Sequence, residues 1–236
     1  MIEEAVPNAS EIKAIFDRIA PVYDQMNHSL SLGQHRIWKQ MTVKWSQAKP
    51  GNIALDVCCG SGDLTQLLAR QVGKTGQVIG LDFSPQLLTI ARQRIAEKSS
   101  HLPIRFREGD ALALPFDENS FDCATMGYGL RNVTDIPRCL QELHRVLRRG
   151  AKVAILDFHR PKAPIMQAFQ QWYLNFIVVP TAEGLGLTEE YAYINPSLKR
   201  FPTGNNQVKL GYQAGFNHAV HYSIAGGMMG VLVLTK

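Results

Sequence analysis

Three acidic residues, Asp56, Asp82 and Asp110, lie at the ends of three successive apolar runs. The runs are rich in β-branched residues, which is typical of buried parallel strands. Because the carboxyl ends of parallel strands lie along one edge of a sheet, we expect the three carboxylates to share that rim. We expect Asp82 to bind both hydroxyls of a ribose and Asp110, with Ala111, to contact an adenine amino edge.

The segment 58–63 (CCGSGD) follows the first apolar run and contains two glycines and an acid. Gly60 and Gly62 allow a tight strand-to-helix turn and a close approach to a ligand. A dinucleotide fingerprint carries a small residue three positions after its second glycine, where this sequence has Thr65. Asp63 would repel a pyrophosphate, whereas Asp56 and Asp63 would favour a sulfonium and an amino group. The turn therefore favours S-adenosylmethionine over NAD or FAD.

Polar side chains also follow the fourth apolar run, in the segment 127–133 (GYGLRNV). Tyr128, Arg131 and Asn132 would lie opposite a bound methyl donor. The alternative is an ordinary loop in which Arg131 pairs with a neighbouring acid such as Asp135.

An alternation of strands and helices must position these residues. Five apolar runs are predicted as strands: Ile53–Val57, Val78–Leu81, Ile104–Phe106, Phe121–Met126 and Val153–Phe158. Helical spacing separates them, with Ser84-Pro85 opening one helix and Arg148-Arg149-Gly150 closing another. Two further strands around a glycine turn, Asn217–Tyr222 and Met228–Leu234, indicate an antiparallel hairpin. This pattern predicts an α/β fold with a Rossmann-like, seven-stranded, mostly parallel sheet.

The whole chain, 1–236, is predicted to form one domain. Residues 10–45 indicate two helical pieces, Glu11–Ala20 and His35–Trp45, which we expect to act as a lid. Residues 46–158 form the cofactor-binding core, 159–205 an insertion on the substrate side, and 206–236 the C-terminal hairpin.

Composition excludes several classes of protein. Lys and Arg total 25 and Asp and Glu total 20, and this scattered excess of positive charge does not favour a nucleic-acid partner. Four cysteines without a C-x-x-C pair or a histidine cluster indicate neither a disulfide scaffold nor a metal site. The N-terminus carries acids rather than the bases of a signal peptide, and the apolar window Trp172–Leu187 is too short to span a bilayer. We predict a cytoplasmic protein.

The chain resembles the UbiE/MenG/COQ5 family of quinone-biosynthesis C-methyltransferases nearly from end to end. The resemblance rests on motifs within 16–27, 31–39 and 56–65, on ALPF at 113–116 and on GLRNVTD at 129–135. It implies a class I methyltransferase that uses S-adenosylmethionine without a metal. The CC form of the glycine turn resembles the branch of oxygenic phototrophs, which implies methylation of an isoprenoid-tailed demethylnaphthoquinol in phylloquinone or menaquinone biosynthesis.

The resemblance also implies roles for residues. Ser61, Asp82, Asp110 and Ala111 would contact the cofactor, and Arg131 and Asn132 would line the quinol site. We hypothesise that Arg131 stabilises a phenolate while Asn132 or Tyr128 orients the hydroxyl. Further expected contacts are Phe83 and Gly127 to the cofactor, and Tyr23, His35 and His159 to the substrate. Members of the family often have a serine at the position of Gly127. A glycine cannot make the contact that the serine side chain would make, so any contact from Gly127 to the cofactor comes from its backbone.

Other functions remain open at this stage. The runner-up is a methoxy-benzoquinol C-methyltransferase of ubiquinone biosynthesis. An NAD(P)-dependent oxidoreductase on the same fold and a non-catalytic quinone- or S-adenosylmethionine-binding partner protein are the alternatives from other classes. The aromatic insertion at 166–187 would supply apolar walls for an isoprenoid tail or a peripheral contact with a membrane. No pattern in the sequence indicates an oligomeric state.

Overall fold

The computed structural model describes residues 8–22, 31, 33–184, 187 and 194–236. The predicted substrate residue Tyr23 lies outside the described residues. The centre of the fold is a seven-stranded sheet with strand order β3-β2-β1-β4-β5-β7-β6. Its strands are β1 (Ile53–Val57), β2 (Gln77–Asp82), β3 (Ile104–Glu108), β4 (Phe121–Gly127), β5 (Leu147–Phe158), β6 (His218–Ile224) and β7 (Met229–Thr235).

The first five strands pair in parallel, while β7 runs antiparallel to both β5 and β6. The predicted fold class and the C-terminal hairpin are confirmed. Residues 206–213, which the sequence did not separate from the hairpin, belong to a helix that packs on β6.

Three of the described helices begin after a residue whose side chain accepts a hydrogen bond from a backbone N–H of the first turn. The helices are α1 (Ala9–Ile19), α2 (His35–Trp45), α3 (Asp63–Val72), α4 (Pro85–Lys98), α5 (Ile136–Val146), α6 (Pro164–Tyr173), α7 (Val179–Glu183), α8 (Ile194–Arg200) and α9 (Gly204–Gln213). Ser84 accepts a hydrogen bond from the N–H of Leu87 at the start of α4, as predicted, and Asn8 forms a capping box with Glu11 at α1. Both predicted N-terminal helices are confirmed.

Hydrophobic residues cover both faces of the sheet. In β7, Leu232 and Leu234 pack into the main core with α5, while Val231 and Val233 face the opposite side. This period of two is what a strand buried on both faces requires. Phe121, Leu55 and Leu140 are fully buried in the main core. The sheet is therefore a rigid platform for the loops at its carboxyl edge.

The prediction that Arg148-Arg149-Gly150 closes α5 is wrong. The helix ends at Val146, its basic last turn holds His144 and Arg145, and β5 already begins at Leu147. Leu147 pairs with Phe121 before an irregularity in the register between β4 and β5. Arg148 forms an ion pair with Asp122 of β4, so a contact distant in sequence draws this segment into the sheet.

Candidate functional site

A pocket opens at the carboxyl edge of the sheet beside β1 and β4, where the strand order reverses direction. It encloses about 720 Å³ of empty space, including the part open to solvent. Its walls are Ile12, Phe16, Cys58, Gly60, Leu81, Asp82, Phe83, Leu87, Gly109, Asp110, Ala111, Leu112, Gly127, Tyr128, Gly129, Asn132, Val133 and Thr134. Eight of the predicted site residues are therefore brought together: Gly60, Asp82, Phe83, Asp110, Ala111, Gly127, Tyr128 and Asn132.

Asp82 ends β2 and is almost completely buried at the pocket wall. Its carboxylate accepts hydrogen bonds from the backbone N–H of Gly60 at 2.8 Å and of Ser84 at 2.9 Å. Burial raises the pKa of Asp82 to about 6, although these backbone donors lower it. Since each carboxylate oxygen has a second lone pair, Asp82 can still accept from the two hydroxyls of a ribose.

The rest of this half of the pocket suits an adenosine. Asp110 accepts a hydrogen bond from the N–H of Leu112 at 2.9 Å, which holds the loop after β3 in place. Phe83 and Ala111 supply apolar wall on either side of the acids. A polar rim for the ribose beside a flat apolar wall for the base matches the chemistry of S-adenosylmethionine.

The glycine turn brings the backbone to the pocket. Cys58 and Gly60 both have positive φ angles, 54° in each case. The opposing loop has no room for a side chain at Gly129, because a Cβ atom there would lie 2.6 Å from Cys58 Cβ. Gly62 and Ser61 belong to the same turn but are not among the described wall residues, and the Ser61 carbonyl accepts a hydrogen bond from Arg94 at 3.0 Å.

Asp56, which was expected to bind the cofactor, and Asp63, which was expected to favour its cationic groups electrostatically, are not among the described wall residues of the pocket. Asp56 is fully buried and accepts hydrogen bonds from the hydroxyls of Thr65 at 2.6 Å and Thr125 at 2.8 Å. Burial raises the pKa of Asp56 to about 7. Asp56 therefore joins β1, α3 and β4 beneath the turn.

Asp63, the first residue of α3, forms ion pairs with Lys39 and Arg94, each at 2.7 Å. Burial would raise the pKa of Asp63, but these two cations lower it well below its usual range. Its negative charge is thus neutralised within the protein. Lys39 itself is buried, and its Nζ atom lies 5.9 Å from the centre of the Tyr128 ring, so α2 is tied both to α3 and to the loop after β4.

Asn132 lines the pocket and contains a buried acceptor. Its Nδ2 atom donates to the Tyr128 carbonyl at 2.9 Å. Its Oδ1 atom is buried and, among the described residues, has no hydrogen-bond partner. A buried acceptor without a partner lowers the stability of the folded state, so this atom indicates a ligand that donates a hydrogen bond. Tyr128 holds a positive φ of 59°, a strained conformation of the kind that clusters at functional sites.

Arg131 does not face the pocket. Its guanidinium pairs with Asp157 at 2.5 Å, donates from Nε to the Ser197 hydroxyl at 2.9 Å and lies over the Phe158 ring. Its backbone N–H donates to the same carboxylate at 2.9 Å. The alternative partner considered from the sequence, Asp135, instead caps α5. Arg131 therefore anchors the turn that carries Asn132.

The predicted substrate histidines are also absent from the described pocket wall. His35 is buried at the start of α2. His159 follows β5, and its ring lies 4.6 Å from that of His221 on β6. The two rings pack against each other, and neither is among the described wall residues of the pocket.

This histidine pair predicts a loss of stability in acid. Burial lowers the pKa of His159 and lowers that of His221 to about 4, and the nearby cations Lys162 and Arg160 act in the same direction. The unfolded chain, with histidine pKa values near 6.5, therefore binds more protons between pH 4 and 6.5, and stability is lost as the pH falls through that window. We expect His221→Gln to remove about 1–2 kcal/mol of this pH dependence, a figure reduced for solvent screening of the partly exposed ring.

The measurement is the free energy of unfolding by urea at pH 8 and pH 5, for the wild type and for His221→Gln. Asp56 and Asp82 act in the opposite direction, because their raised pKa values make the folded chain bind more protons than the unfolded one below pH 7. The wild type and His221→Gln both contain these acids, so their effect cancels when the two proteins are compared. The change in the free energy of unfolding between pH 8 and pH 5 should be smaller in His221→Gln. Parallel profiles would contradict the prediction.

Helix α1 forms the roof of the pocket. Ile12 and Phe16 line it, and the Phe16 ring packs against the edge of Phe83, with 6.2 Å between ring centres. The Ser84 hydroxyl donates to Asp17 at 2.5 Å, which fastens the roof to the start of α4. This position fits the proposed lid, whose movement stays a prediction.

Sequence reasoning missed Lys39, Asp157 and Ser197, the partners that hold the site together. A signal existed for Asp157, which lies near the end of β5 like the three strand-end acids that were singled out. Lys39 ends the family motif within 31–39, but nothing in the sequence indicated its partner, because a lysine on an amphipathic helix is usually solvated.

Within the described part of the chain, no group of His, Cys, Asp and Glu side chains could hold a metal ion. None of the described helices has both the length and the apolar character needed to cross a bilayer. The predicted cytoplasmic location stays a prediction.

The strand order, the antiparallel last strand and the pocket at the reversal point define the class I S-adenosylmethionine-dependent methyltransferases. Solved structures share the fold: an S-adenosylmethionine-dependent methyltransferase from Thermotoga maritima is 19% identical with a TM-score of 0.66, covering 94% of this chain and 99% of that one. The model of the ubiE/COQ5 methyltransferase family matches residues 4–236, and the chain belongs to this family. It is an S-adenosylmethionine-dependent methyltransferase.

Two relatives are similar over nearly the full length. A "2-phytyl-1,4-naphtoquinone methyltransferase" from Nostoc punctiforme is 65% identical over 227 residues, covering 96% of this chain and 99% of the relative. A chloroplastic "2-phytyl-1,4-beta-naphthoquinone methyltransferase" from Arabidopsis thaliana is 49% identical, covering 97% of this chain and 88% of the relative.

Proposed function

We propose that this enzyme methylates a ring carbon of a reduced, phytyl-tailed demethylnaphthoquinone in the biosynthesis of phylloquinone. The observation that carries the proposal is the 65% identity to a relative of that name over nearly the whole of both chains. The pocket supports it, because one half suits an adenosine and the other contains Asn132, whose buried Oδ1 lacks a hydrogen-bond partner among the described residues.

The reaction requires a hydroxyl group that is held and then deprotonated. A quinol carbon ortho to a hydroxyl becomes a good nucleophile when that hydroxyl loses its proton and electron density moves onto the ring. When bound, S-adenosylmethionine supplies an electrophilic methyl group on a sulfonium, from which a neutral thioether leaves. The protein has to align the two reactants, exclude water and hold the developing phenolate.

Asn132 Oδ1 accepts the hydrogen bond of the quinol hydroxyl, which satisfies the buried acceptor and fixes the orientation of the ring. Tyr128 forms the wall beside it, where Phe158 and Lys39 hold its ring. Arg131 is a positioning residue, since its donors are engaged with Asp157 and Ser197.

Apolar residues accommodate the ring and the first part of the tail. Ile12 and Phe16 of the roof line the pocket together with Leu87 and Val133. A phytyl tail partitions into lipid, at about 0.8 kcal/mol for each buried CH₂ group. The enzyme therefore meets its acceptor at a membrane surface.

A methyl-transfer assay with labelled S-adenosylmethionine tests the substrate. We expect label in reduced 2-phytyl-1,4-naphthoquinone, and at least about tenfold less in a reduced demethyl-methoxybenzoquinone with an isoprenoid tail, because substrate discrimination of this kind is worth 1–3 kcal/mol. A polyprenyl-tailed naphthoquinol, run in parallel, measures how strictly the tail is recognised.

Preference for the benzoquinol would overturn the proposal in favour of the ubiquinone branch. Binding of S-adenosylmethionine without transfer to any of these acceptors would also overturn it. A nicotinamide fluorescence titration in the same buffer covers the oxidoreductase alternative, for which we expect no binding.

A further inference from the structure

One helix of the insertion carries a row of exposed apolar side chains. Ile165, Phe169, Trp172 and Phe176 are 79%, 43%, 50% and 66% exposed, and together they are called the aromatic ridge. Ile165, Phe169 and Trp172 belong to α6, and Phe176 to the π-helical turn Leu174–Val178 that continues it. Their spacing of four, three and four residues places them along one face of the helix.

The aromatic rings of the ridge lie next to one another. The ring centres of Phe169 and Trp172 are 5.9 Å apart, and those of Trp172 and Phe176 are 6.4 Å apart. Contiguous exposed apolar surface of this kind is uncommon on soluble proteins and marks an interaction site. The same segment buries Leu174 and Val178 on its other face, so it has one apolar face in the core and a second one that is exposed.

Among the described residues, the charged side chains just before the aromatic ridge are cations. Residues 164–182 contain no charged residue, and Glu183 comes only at the far end. Arg160 and Lys162, both exposed, precede the ridge. The exposed Lys199 lies on α8, which contacts the ridge helix through a hydrogen bond from Asn195 to Asn175 at 3.2 Å. Apolar rings flanked by cations complement a bilayer surface that contains anionic lipids.

The buried face of the helix leads to the pocket. Leu174 and Val178 pack in one cluster with Ile19 of α1, and Phe16 packs against this cluster while also lining the pocket. The roof of the pocket therefore rests directly on the helix that carries the aromatic ridge. A molecule that leaves a bilayer beside the ridge would reach the roof without crossing the sheet.

We propose that the aromatic ridge docks the enzyme on the surface of an anionic lipid bilayer, with its rings in the interfacial layer and Arg160, Lys162 and Lys199 near the lipid headgroups. This deepens the proposed function, because it states how the enzyme reaches a lipid-dissolved acceptor. Vesicle binding needs no acceptor, so the docking surface and the proposed substrate can be tested separately.

The test is flotation of the full chain with vesicles of phosphatidylcholine alone, or with about one third phosphatidylglycerol. We expect the wild type to bind the anionic vesicles more tightly, by roughly tenfold, and to be released by salt. The double variant Trp172→Gln/Phe176→Gln should lose at least about tenfold in partitioning. Tyr212→Gln is the matched control, because Tyr212 is a comparably exposed aromatic residue on α9 and should leave binding unchanged.

Fluorescence gives a second measurement that does not depend on how the double variant behaves. Trp172 is an exposed tryptophan, so its emission should shift to the blue on anionic vesicles and be quenched by brominated acyl chains. Trp172→Phe should abolish most of that signal while the protein still floats.

Wild-type levels of flotation by the double variant would overturn the proposal, as would an unshifted emission on vesicles that bind the protein. The proposal would also be overturned if the wild type bound neither kind of vesicle but formed a dimer, and the double variant were monomeric. That result would assign the ridge to an interface between copies of this chain. Methylation of a detergent-dispersed acceptor by the double variant at the wild-type rate, with flotation lost, is the result expected if both proposals hold.

Discussion

Arg131→Met should lower the free energy of unfolding by about 3–5 kcal/mol, because it leaves a buried carboxylate without its cation. The side chains of Arg131 and Asp157 are 6% and 4% exposed, and Asp157 accepts hydrogen bonds from both the guanidinium and the backbone of Arg131. Urea unfolding at pH 8 measures the loss. A change below about 1 kcal/mol, the value of an exposed pair, would show that the ion pair is not buried in solution.

The double variant Arg131→Met/Asp157→Leu is the control that separates structure from chemistry. Removing both charges should recover part of the lost stability, since a buried ion pair can often be replaced by apolar residues at little cost. Recovery is partial because the backbone N–H groups of Arg131 and Phe158 lose their acceptor. If Arg131 positions Asn132, turnover by the double variant should recover in part, with the affinity for S-adenosylmethionine close to the wild-type value. A double variant that is stable yet has no turnover would instead restore the direct phenolate role expected from the sequence.

Asp82→Ala should raise the dissociation constant of S-adenosylmethionine by about 10- to 100-fold, the range expected for lost hydrogen bonds to a charged group. The carboxylate supplies the acceptors for the ribose and also holds the N–H groups of Gly60 and Ser84 in place. Calorimetric titration of the folded variant measures the change. Glu118→Ala is the control, since it removes an exposed acid near the start of β4, at the opposite edge of the sheet.

The pH dependence of binding provides an independent check on Asp82. Burial raises the pKa of this carboxyl to about 6, so it becomes protonated, and a weaker acceptor, as the pH falls from 7 to 5. The dissociation constant of the wild type should rise over that interval, and that of Asp82→Ala should change less. An unchanged dissociation constant in Asp82→Ala would remove Asp82 from the cofactor site.

The elements and the rim of the site could be predicted from sequence because they depend on local patterns. Runs of β-branched residues, Ser84-Pro85 at a helix start and glycines in the turn each act on their immediate neighbours. Asp82 is the last residue of β2, so in a parallel sheet it lies on the carboxyl edge regardless of how the rest of the chain folds. The same reasoning placed Asn132 and Tyr128 on the loop that follows β4, where they line the pocket.

Which polar side chains face the pocket was decided only by the tertiary structure. Asp56, Asp63 and Arg131 belong to the predicted segments but turn to partners far along the chain: Thr125, Lys39 and Asp157. A buried charge or polar group takes whichever partner the packing brings within hydrogen-bonding distance, and the sequence does not state that distance. The sequence by itself therefore determined the sheet, its ligand-binding edge and the family, whereas the partner of each buried side chain, and hence the division between supporting residues and the pocket wall, required the folded chain.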